Sequence, residues 1–555
     1  MCSNRCEPQG IAPQCCDDGH ASSEWKAGID GRRTHLRLGF ELRAGRPPAG
    51  SGTVDSLSPA RFARPRLRHV AHPRTLVDLV SGWLRGFHPR SIPPMQRATY
   101  ARELVSWAFL PIMLGAIEGG TMSVLVKKAW SGVGGIDPAA LDLAVAFVSA
   151  APNFANLTSF IWARLSQGRD KVRFISGIQV ATCACVALVA AMPVNAWGLA
   201  GTCLLVLAAR TTWTGVITVR AAIWRQNYPK DNRASIAGKM ATVQSLMLAA
   251  AGWVVGASMD LSPWSFHVVF PVLAAIGLYG NSVFRGVKLR GAGRLARSEV
   301  AEGGRTRLSP NPARNAAIAA DALRTNWRVL VDDAEYRRFM TWMFVLGLGN
   351  LMIGAPQAIF LEDRLQATYL EGILATTVIP LLVMPVAIPM WARLLDRSHI
   401  VRFRAVHGWS FVAATGMMWV AAEASQLWLF YVAGAMMGVG FAGGSIAWNL
   451  GHQDFAPPER DALYMSVHVT LNGIRGAIAP FLAVGLYAWL AVRGAEPLTF
   501  AVCFAVNAAG AAGFVWQWRA LRGRVAGVHR TAKKGASIDE AEPLGQIRAS
   551  AGRGD

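Results

Sequence analysis

Hydrophobic and polar residues alternate along the chain in long blocks. From about residue 104, runs of roughly twenty apolar residues follow one another, and each is long enough as a helix to cross about 30 Å of hydrocarbon. The pattern predicts an all-α polytopic membrane protein with twelve transmembrane helices in two groups of six. The runs lie at about 104–126, 140–163, 173–194, 197–219, 237–258, 264–284, 338–361, 372–394, 403–422, 426–448, 464–490 and 498–518.

The polar blocks divide the chain into five predicted parts. The first part is rich in Arg, Pro, Gly and Ser and lacks sustained periodicity, so we expect it to be disordered. An alternative is that translation starts at Met95, just ahead of the first predicted helix. The parts are a basic N-terminal extension (1–98), a six-helix bundle (99–284), a linker (285–337), a second six-helix bundle (338–520) and a tail (521–555).

A thirteen-residue segment occurs twice, once in each half. Residues 162–174 read WARLSQGRDKVRF and residues 391–403 read WARLLDRSHIVRF, so seven of thirteen positions match at an offset of 229 residues. Each copy lies between two apolar runs, after the second and the eighth predicted helix. The repeat therefore indicates an internal duplication, with two halves derived from one ancestral bundle.

The composition agrees with a membrane protein. Of 555 residues, 52% are hydrophobic and only 16% are charged. A net charge of +22 could suggest nucleic acid binding, but Lys and Arg gather in gaps too short for such a domain. Four of the eight cysteines lie in apolar runs. The other four lie near the N-terminus, where their spacing fits no zinc pattern well, so we predict neither a metal nor a cofactor.

Positive charge is distributed unevenly among the gaps. The gaps after the second, fourth and eighth helices are basic, as are the linker and both tails, whereas residues 192–197 carry no charge and 259–263 carry only Asp260. The positive-inside rule then places both termini and the linker in the cytoplasm, in a multi-pass protein of the inner or plasma membrane. Lys127 and Lys128 depart from this rule, although their side chains could snorkel to headgroups.

The six-plus-six arrangement, the central linker and the repeated Arg-rich loop resemble the major facilitator superfamily of secondary transporters over about residues 100–520. The family pattern in the loop is Gly-x-Leu-Ala/Ser-Asp-Arg-x-Gly-Arg/Lys, a turn that holds neighbouring helix ends together in one access state. The second copy keeps Leu394, Asp396 and Arg397, whereas the first has Gln167 in place of the Asp and Asp170 at the turn Gly. The residues that the resemblance implies for this conformational loop are Arg164, Lys171, Arg173, Arg393, Asp396, Arg397 and Arg402.

Three ionisable residues fall near the middle of predicted helices: Glu118, Arg210 and Arg475. A charge inside a bilayer is tolerated mainly where it faces a polar cavity or a partner. We expect Glu118 to carry a coupling proton or contact a cation, because burial favours the protonated form of a carboxyl group. The two arginines would hold an anionic group of the substrate or neutralise Glu118. The alternative is a permanent ion pair that only fixes helix packing.

Two polar residues of the seventh helix, Asn350 and Gln357, are further candidates. Helices one, four, seven and ten usually line the cavity in this family, so the resemblance implies that both side chains contact the substrate. It also implies a secondary active transporter, not an enzyme, that moves a small solute by alternating access and is driven by a proton or solute gradient, with protons the expected coupling ion. We further expect a monomer in the lipid bilayer that binds no nucleic acid.

Two other functions stay open at this point. One is a membrane sensor or adaptor of the same fold that does not transport. The other is a lipid-modifying membrane enzyme, although the loops supply no acidic or His cluster for it. The sequence has no Gly-x-x-x-x-Gly-Lys-Ser/Thr segment, which argues against transport driven by ATP.

Overall fold

Every regular element that the structure describes is a helix. The structure, a computed structural model, describes residue 82 and residues 84–303, 312–457 and 460–539. Most of the expected disordered extension, including its four cysteines, lies outside these ranges. Twelve long helices in the described ranges form the predicted six-plus-six arrangement. They are α1 (Pro94–Ala129), α2 (Pro138–Asn156), α3 (Lys171–Val189), α4 (Ala196–Asn227), α5 (Lys230–Leu261), α6 (Phe266–Phe284), α7 (Ala334–Asp363), α8 (Tyr369–Asp396), α9 (Ile400–Glu423), α10 (Leu427–Leu450), α11 (Asp461–Ala491) and α12 (Leu498–Asp539).

Among the described residues, eleven of these helices are long and apolar enough to cross a membrane. The exception is α9, which is long enough at 24 residues but contains the polar and small residues His407, Gly408 and Ser410. Several helices also extend beyond the apolar runs that predict them. For example, α4 continues to Asn227 and α12 to Asp539, because hydropathy marks only the part in hydrocarbon and the backbone hydrogen bonds continue past it.

Besides the second predicted span, which is divided into Pro138–Asn156 and a short helix Ser159–Leu165, α1 and α7 are interrupted, and their breaks lie at related places in the two halves. In α1 the pieces Pro94–Phe109, Ile112–Ala116 and Gly119–Ala129 follow one another, and in α7 the pieces are Ala334–Leu351 and Gly354–Asp363. Such breaks leave backbone groups without helical partners, which a membrane protein must satisfy from its interior. The shared position of the breaks supports the internal duplication.

Consecutive spans run in opposite directions, so the connections lie on two sides of the bundle. We call the side with the α2–α3, α4–α5, α8–α9 and α10–α11 connections the linker side, and the opposite side the far side. The linker contains two helices, Ala292–Gly303 and Pro312–Asp332. Glu299 of the first accepts hydrogen bonds from Lys171 Nζ at 2.7 Å and Gly168 N at 2.8 Å, which joins the linker to the first repeated loop.

Small residues bring the two halves into close contact. A Cβ atom at Gly120 of α1 would lie 2.4 Å from the Thr377 hydroxyl of α8, and one at Gly256 of α5 would lie 2.8 Å from the Cα atom of Leu370. Glycine at these sites allows backbones to approach, and the resulting van der Waals contacts help to join helices inside a bilayer.

Gly280 generates a first prediction, on stability. It packs against α1, where an added Cβ would lie 2.6 Å from Leu110 N, and its carbonyl accepts a hydrogen bond from Ser106 Oγ at 2.8 Å. We expect Gly280→Ala to lower the free energy of unfolding by about 1–3 kcal/mol, because the extra methyl group forces α6 away from α1. Thermal unfolding of the purified protein would measure this loss.

Gly177→Ala is the matched control. Gly177 is also a helical glycine, in α3, but nothing lies within 4 Å of a Cβ at this position. Alanine there should be neutral or slightly stabilising, since it favours the helix without a clash. Equal melting temperatures for the two variants would contradict the role of close α1–α6 packing.

Candidate functional site

The second break in α1 brings Glu118 opposite Arg210 of α4. The backbone of Glu118 is extended (φ −61°, ψ 142°) immediately before Gly119–Ala129, so Glu118 lies at the break and not within a helical turn. Nη2 of Arg210 donates to Glu118 Oε2 at 3.0 Å and also to the carbonyl oxygen of Ile117. Because carbonyl groups at the end of a helix lack an intrahelical partner, this one arginine satisfies both the backbone and the charge of the break.

The two partners differ in accessibility. The Arg210 side chain is 8% exposed, whereas that of Glu118 is 32% exposed. The Nε atom of Arg210 is buried and has no hydrogen-bond partner among the described residues. The carboxylate is therefore the more exposed partner of the pair, while the guanidinium is buried in the bundle.

A second polar site lies inside the C-terminal half. It is a cavity of about 250 Å³ between α7, α9, α10 and α11. Two predicted residues, Arg475 and Asn350, line it, whereas Gln357 is not among its lining residues and lies buried in the far-side piece of α7. The lining residues are Met343, Leu346, Gly347, Asn350, Arg404, Phe411, Phe441, Gly444, Ser445, Trp448 and Arg475.

Arg475 is held by both neighbouring backbone and side-chain groups. Its Nη1 donates to the carbonyl oxygen of Met343 in α7, and its Nη2 donates to Asn472 Oδ1 at 2.7 Å. Gly347 provides the space, since a Cβ there would lie 2.1 Å from the Arg475 Cζ atom. Asn472 in turn donates to Asn153 Oδ1 of α2 at 3.3 Å, so the polar chain reaches the other half.

Arg404 is a site residue that the sequence analysis did not single out. It is only 4% exposed, and its Nη1 lies 3.2 Å from His407 Nδ1. The other ring nitrogen of His407 lies 2.8 Å from the Gly440 carbonyl oxygen, which fits a neutral imidazole that accepts at Nδ1 and donates at Nε2. In the sequence Arg404 belongs to a basic loop, and the only signal for its burial is the spacing to His407, which places both on one helix face.

Ion pairs of Lys127 and Lys128 with α7 join the two halves at the far side. Lys127 lies 2.7 Å from Asp142 of α2 and 3.0 Å from Asp363 of α7, and Lys128 lies 2.8 Å from Glu362 of α7. These two lysines therefore pair with carboxylates instead of snorkelling to headgroups. The α8 end is joined as well, because Asp260 of α5 accepts hydrogen bonds from the backbone N–H groups of Tyr369 and Leu370.

The residues predicted for the conformational loop differ in exposure. Lys171 is buried and donates to Glu299, while Asp170, at the position of the turn glycine, accepts from the Val172 and Arg173 N–H groups and caps α3. Arg164 is half-buried. The others are exposed on the linker side: Arg173, Arg393, Asp396, Arg397 and Arg402.

A family model described as Major Facilitator Superfamily matches residues 104–480, and no curated protein matches the chain. The fold is similar to that of solved transporters. The nucleoside transporter NupG has a TM-score of 0.54 at 10% identity over 76% of this chain and 99% of that chain. The peptide transporter POT in complex with sulfate has a TM-score of 0.54 at 15% identity over 77% of this chain and 94% of that chain. A D-xylose-proton symporter has a TM-score of 0.54 at 12% identity over 76% of this chain and 96% of that chain. At these identities the likeness shows the fold alone.

The far-side ion pairs generate a second prediction. Lys128→Glu would set a carboxylate against Glu362, so we expect the far-side pieces of α1 and α7 to separate more often. Backbone hydrogen exchange in residues 120–129 and 355–363 should become about tenfold faster, which corresponds to about 1.4 kcal/mol. Mass spectrometry of deuterated peptides would measure the change.

The double variant Lys128→Glu/Glu362→Lys should restore slow exchange, because it reverses the pair without removing it. Arg338→Glu is the control, since it breaks an exposed ion pair with Glu335 in the linker-side piece of α7. It should leave exchange at the far side unchanged. Unaltered exchange in Lys128→Glu would show that the pair does not hold the two halves together.

Proposed function

The chain belongs to the major facilitator superfamily, and we propose that it is a secondary transporter that moves a small solute by alternating access. The match over residues 104–480, the two six-helix halves and the likeness to solved transporters support this function. In such proteins the halves rock about a site near the middle of the bilayer. The solved relatives carry different solutes, so none of their substrates is transferred to this chain.

The conformation described here fits a state that is closed on the far side. The ion pairs of Lys127 and Lys128 and the close contacts at Gly120 and Gly256 all join the two halves there. The basic gaps lie on the linker side and, under the positive-inside rule, support this side as the cytoplasmic one. The protein would then be a monomer in the plasma or inner membrane that is closed toward the outside.

The Glu118–Arg210 pair carries the proposal for coupling. A proton that binds Glu118 would cancel its charge and weaken its bond to Arg210, and of the two side chains that of Glu118 is the more exposed. Arg210 would then be free to bind an anionic group of the solute, or to shift with the Ile117 carbonyl and change the break in α1. The Arg210 guanidinium would therefore link proton binding to helix movement.

The substrate must be known before coupling can be tested. Thermal unfolding of the purified protein with organic anions, sugars, amino acids and cationic drugs at two pH values would reveal ligands, because a compound that binds only the folded state raises its stability. A ligand found in this way can be labelled and followed into proteoliposomes.

Replacing the coupling carboxylate generates the third prediction. Glu118→Gln keeps the shape and a hydrogen-bond acceptor for Arg210 but cannot take up and release a proton. Uptake driven by a pH gradient should fall at least about tenfold, while exchange of labelled for unlabelled solute without a gradient should continue. Both rates would be measured in proteoliposomes.

Glu423→Gln is the matched control, since Glu423 is an exposed carboxylate at the end of α9 that accepts a hydrogen bond from Trp419. It should transport like the wild type. Gradient-driven uptake at the wild-type rate in Glu118→Gln would exclude Glu118 as the proton carrier. A loss of exchange together with uptake would indicate that Glu118 serves solute binding or folding instead.

A further inference from the structure

Two buried arginines share the cavity of the C-terminal half. Arg404 comes from α9 and Arg475 from α11, and they are 4% and 7% exposed. Among the described residues the cavity lining contains no carboxylate, and the described hydrogen-bond partners of the two guanidinium groups are neutral. This differs from Arg210, whose charge is compensated by Glu118.

Both guanidinium groups retain bonding capacity. Nε of Arg404 and Nε of Arg475 are buried and have no hydrogen-bond partner among the described residues. The same holds for Oδ1 of Asn350, which also lines the cavity. Buried charges are normally paired, so two buried cations whose described partners are neutral favour a ligand with negative charge.

Apart from Ser445, the rest of the cavity wall is apolar or aromatic. Phe411, Phe441 and Trp448 line it together with Met343 and Leu346. Its volume of about 250 Å³ is below the range of about 300–1,000 Å³ that is typical of pockets for drug-sized ligands. The cavity therefore suits a small molecule that combines one anionic group with an apolar or aromatic body.

We propose that this cavity binds the carboxylate of a small organic acid between Arg404 and Arg475. The planar fork of a guanidinium matches the two oxygens of a carboxylate, and both arginines line the cavity. The body of the acid would lie against the aromatic wall, and Asn350 would accept a hydrogen bond from a donor on it. The inference rests on the proposed function, since it names the solute class that such a transporter would carry.

A cation is disfavoured at this place, because two buried positive charges repel it. A phosphate would match the charge, but an inorganic ion would leave the aromatic wall without a partner. The cavity lies within the C-terminal half and is separate from the Glu118–Arg210 pair. The acid would consequently be bound in one half while the proton is bound in the other.

Binding of benzoate to the full-length purified protein provides the test, which is also our fourth prediction. Titration calorimetry in a carboxylate-free buffer of low chloride content would compare benzoate with benzyl alcohol and benzylamine, which have a similar body but are neutral and cationic. We expect benzoate alone to bind. Equal binding of benzoate and benzyl alcohol, or no binding of benzoate up to about 10 mM, would overturn the proposal.

Variants locate the binding. Arg404→Gln and Arg475→Gln should each weaken benzoate binding about tenfold or more, whereas Arg519→Gln, which removes an exposed guanidinium from α12, should not. Gly347→Ala keeps every charge but would displace the Arg475 guanidinium, so it should weaken binding too. Benzoate binding that survives all three cavity substitutions would overturn the proposed site.

The melting temperature and gel-filtration profile of each variant would show whether it is folded. If an arginine variant fails to fold, Gly347→Ala still tests the site. The binding measurement needs no gradient. Failure to bind benzoate would therefore leave the transport proposal intact, whereas loss of coupled uptake with retained benzoate binding would contradict the coupling mechanism alone.

Discussion

Inside a bilayer every free backbone group must find its partner within the protein, and a charge needs a partner or a polar cavity. The break in α1 shows how this constraint shapes the molecule. It releases a carbonyl group at Ile117 and turns Glu118 out of the helix, and one guanidinium from α4 satisfies both. The same arginine thereby fixes the position of α4 against α1. A proton that neutralises Glu118, or an anionic solute that competes for Arg210, would act on a backbone junction as well as on a charge.

The two halves solve this constraint differently, although they derive from one repeat. The N-terminal half compensates its arginine with a carboxylate, whereas the cavity of the C-terminal half has two arginines and only neutral partners in the described part of the chain. The polar chain from Arg475 through Asn472 to Asn153 connects the C-terminal cavity to α2. The two halves thus share a helical arrangement but differ in electrostatic character.

The sequence predicts the scaffold well because hydrophobic length is a local property. Apolar runs of about twenty residues and the repeated WARL segment are enough for twelve helices in two halves. Contacts between helices depend on how each helix is rotated about its axis. The apolar runs do not specify this rotation. Depth in a helix could therefore suggest Glu118 and an ion pair with an arginine, but not that Arg210 is the partner. Gln357 was suggested beside Asn350, but of these two only Asn350 lines the cavity of the C-terminal half. Arg404 was not predicted for a related reason. It lies one turn from a basic loop, so the sequence alone suggests a solvent-exposed side chain.

The far-side ion pairs give the protein a sensitivity to its surroundings. Asp363 is 40% exposed, so the attraction that joins α1 to α7 extends partly through solvent. Dissolved salt screens such attraction over a Debye length of about 8 Å at physiological ionic strength. If closure of this side limits the cycle, the rate would depend on the ionic strength of the compartment that it faces, independently of the gradient that drives it. An organism in brackish water and one in fresh water would then need different residues at these few positions, while the helices around them could stay the same.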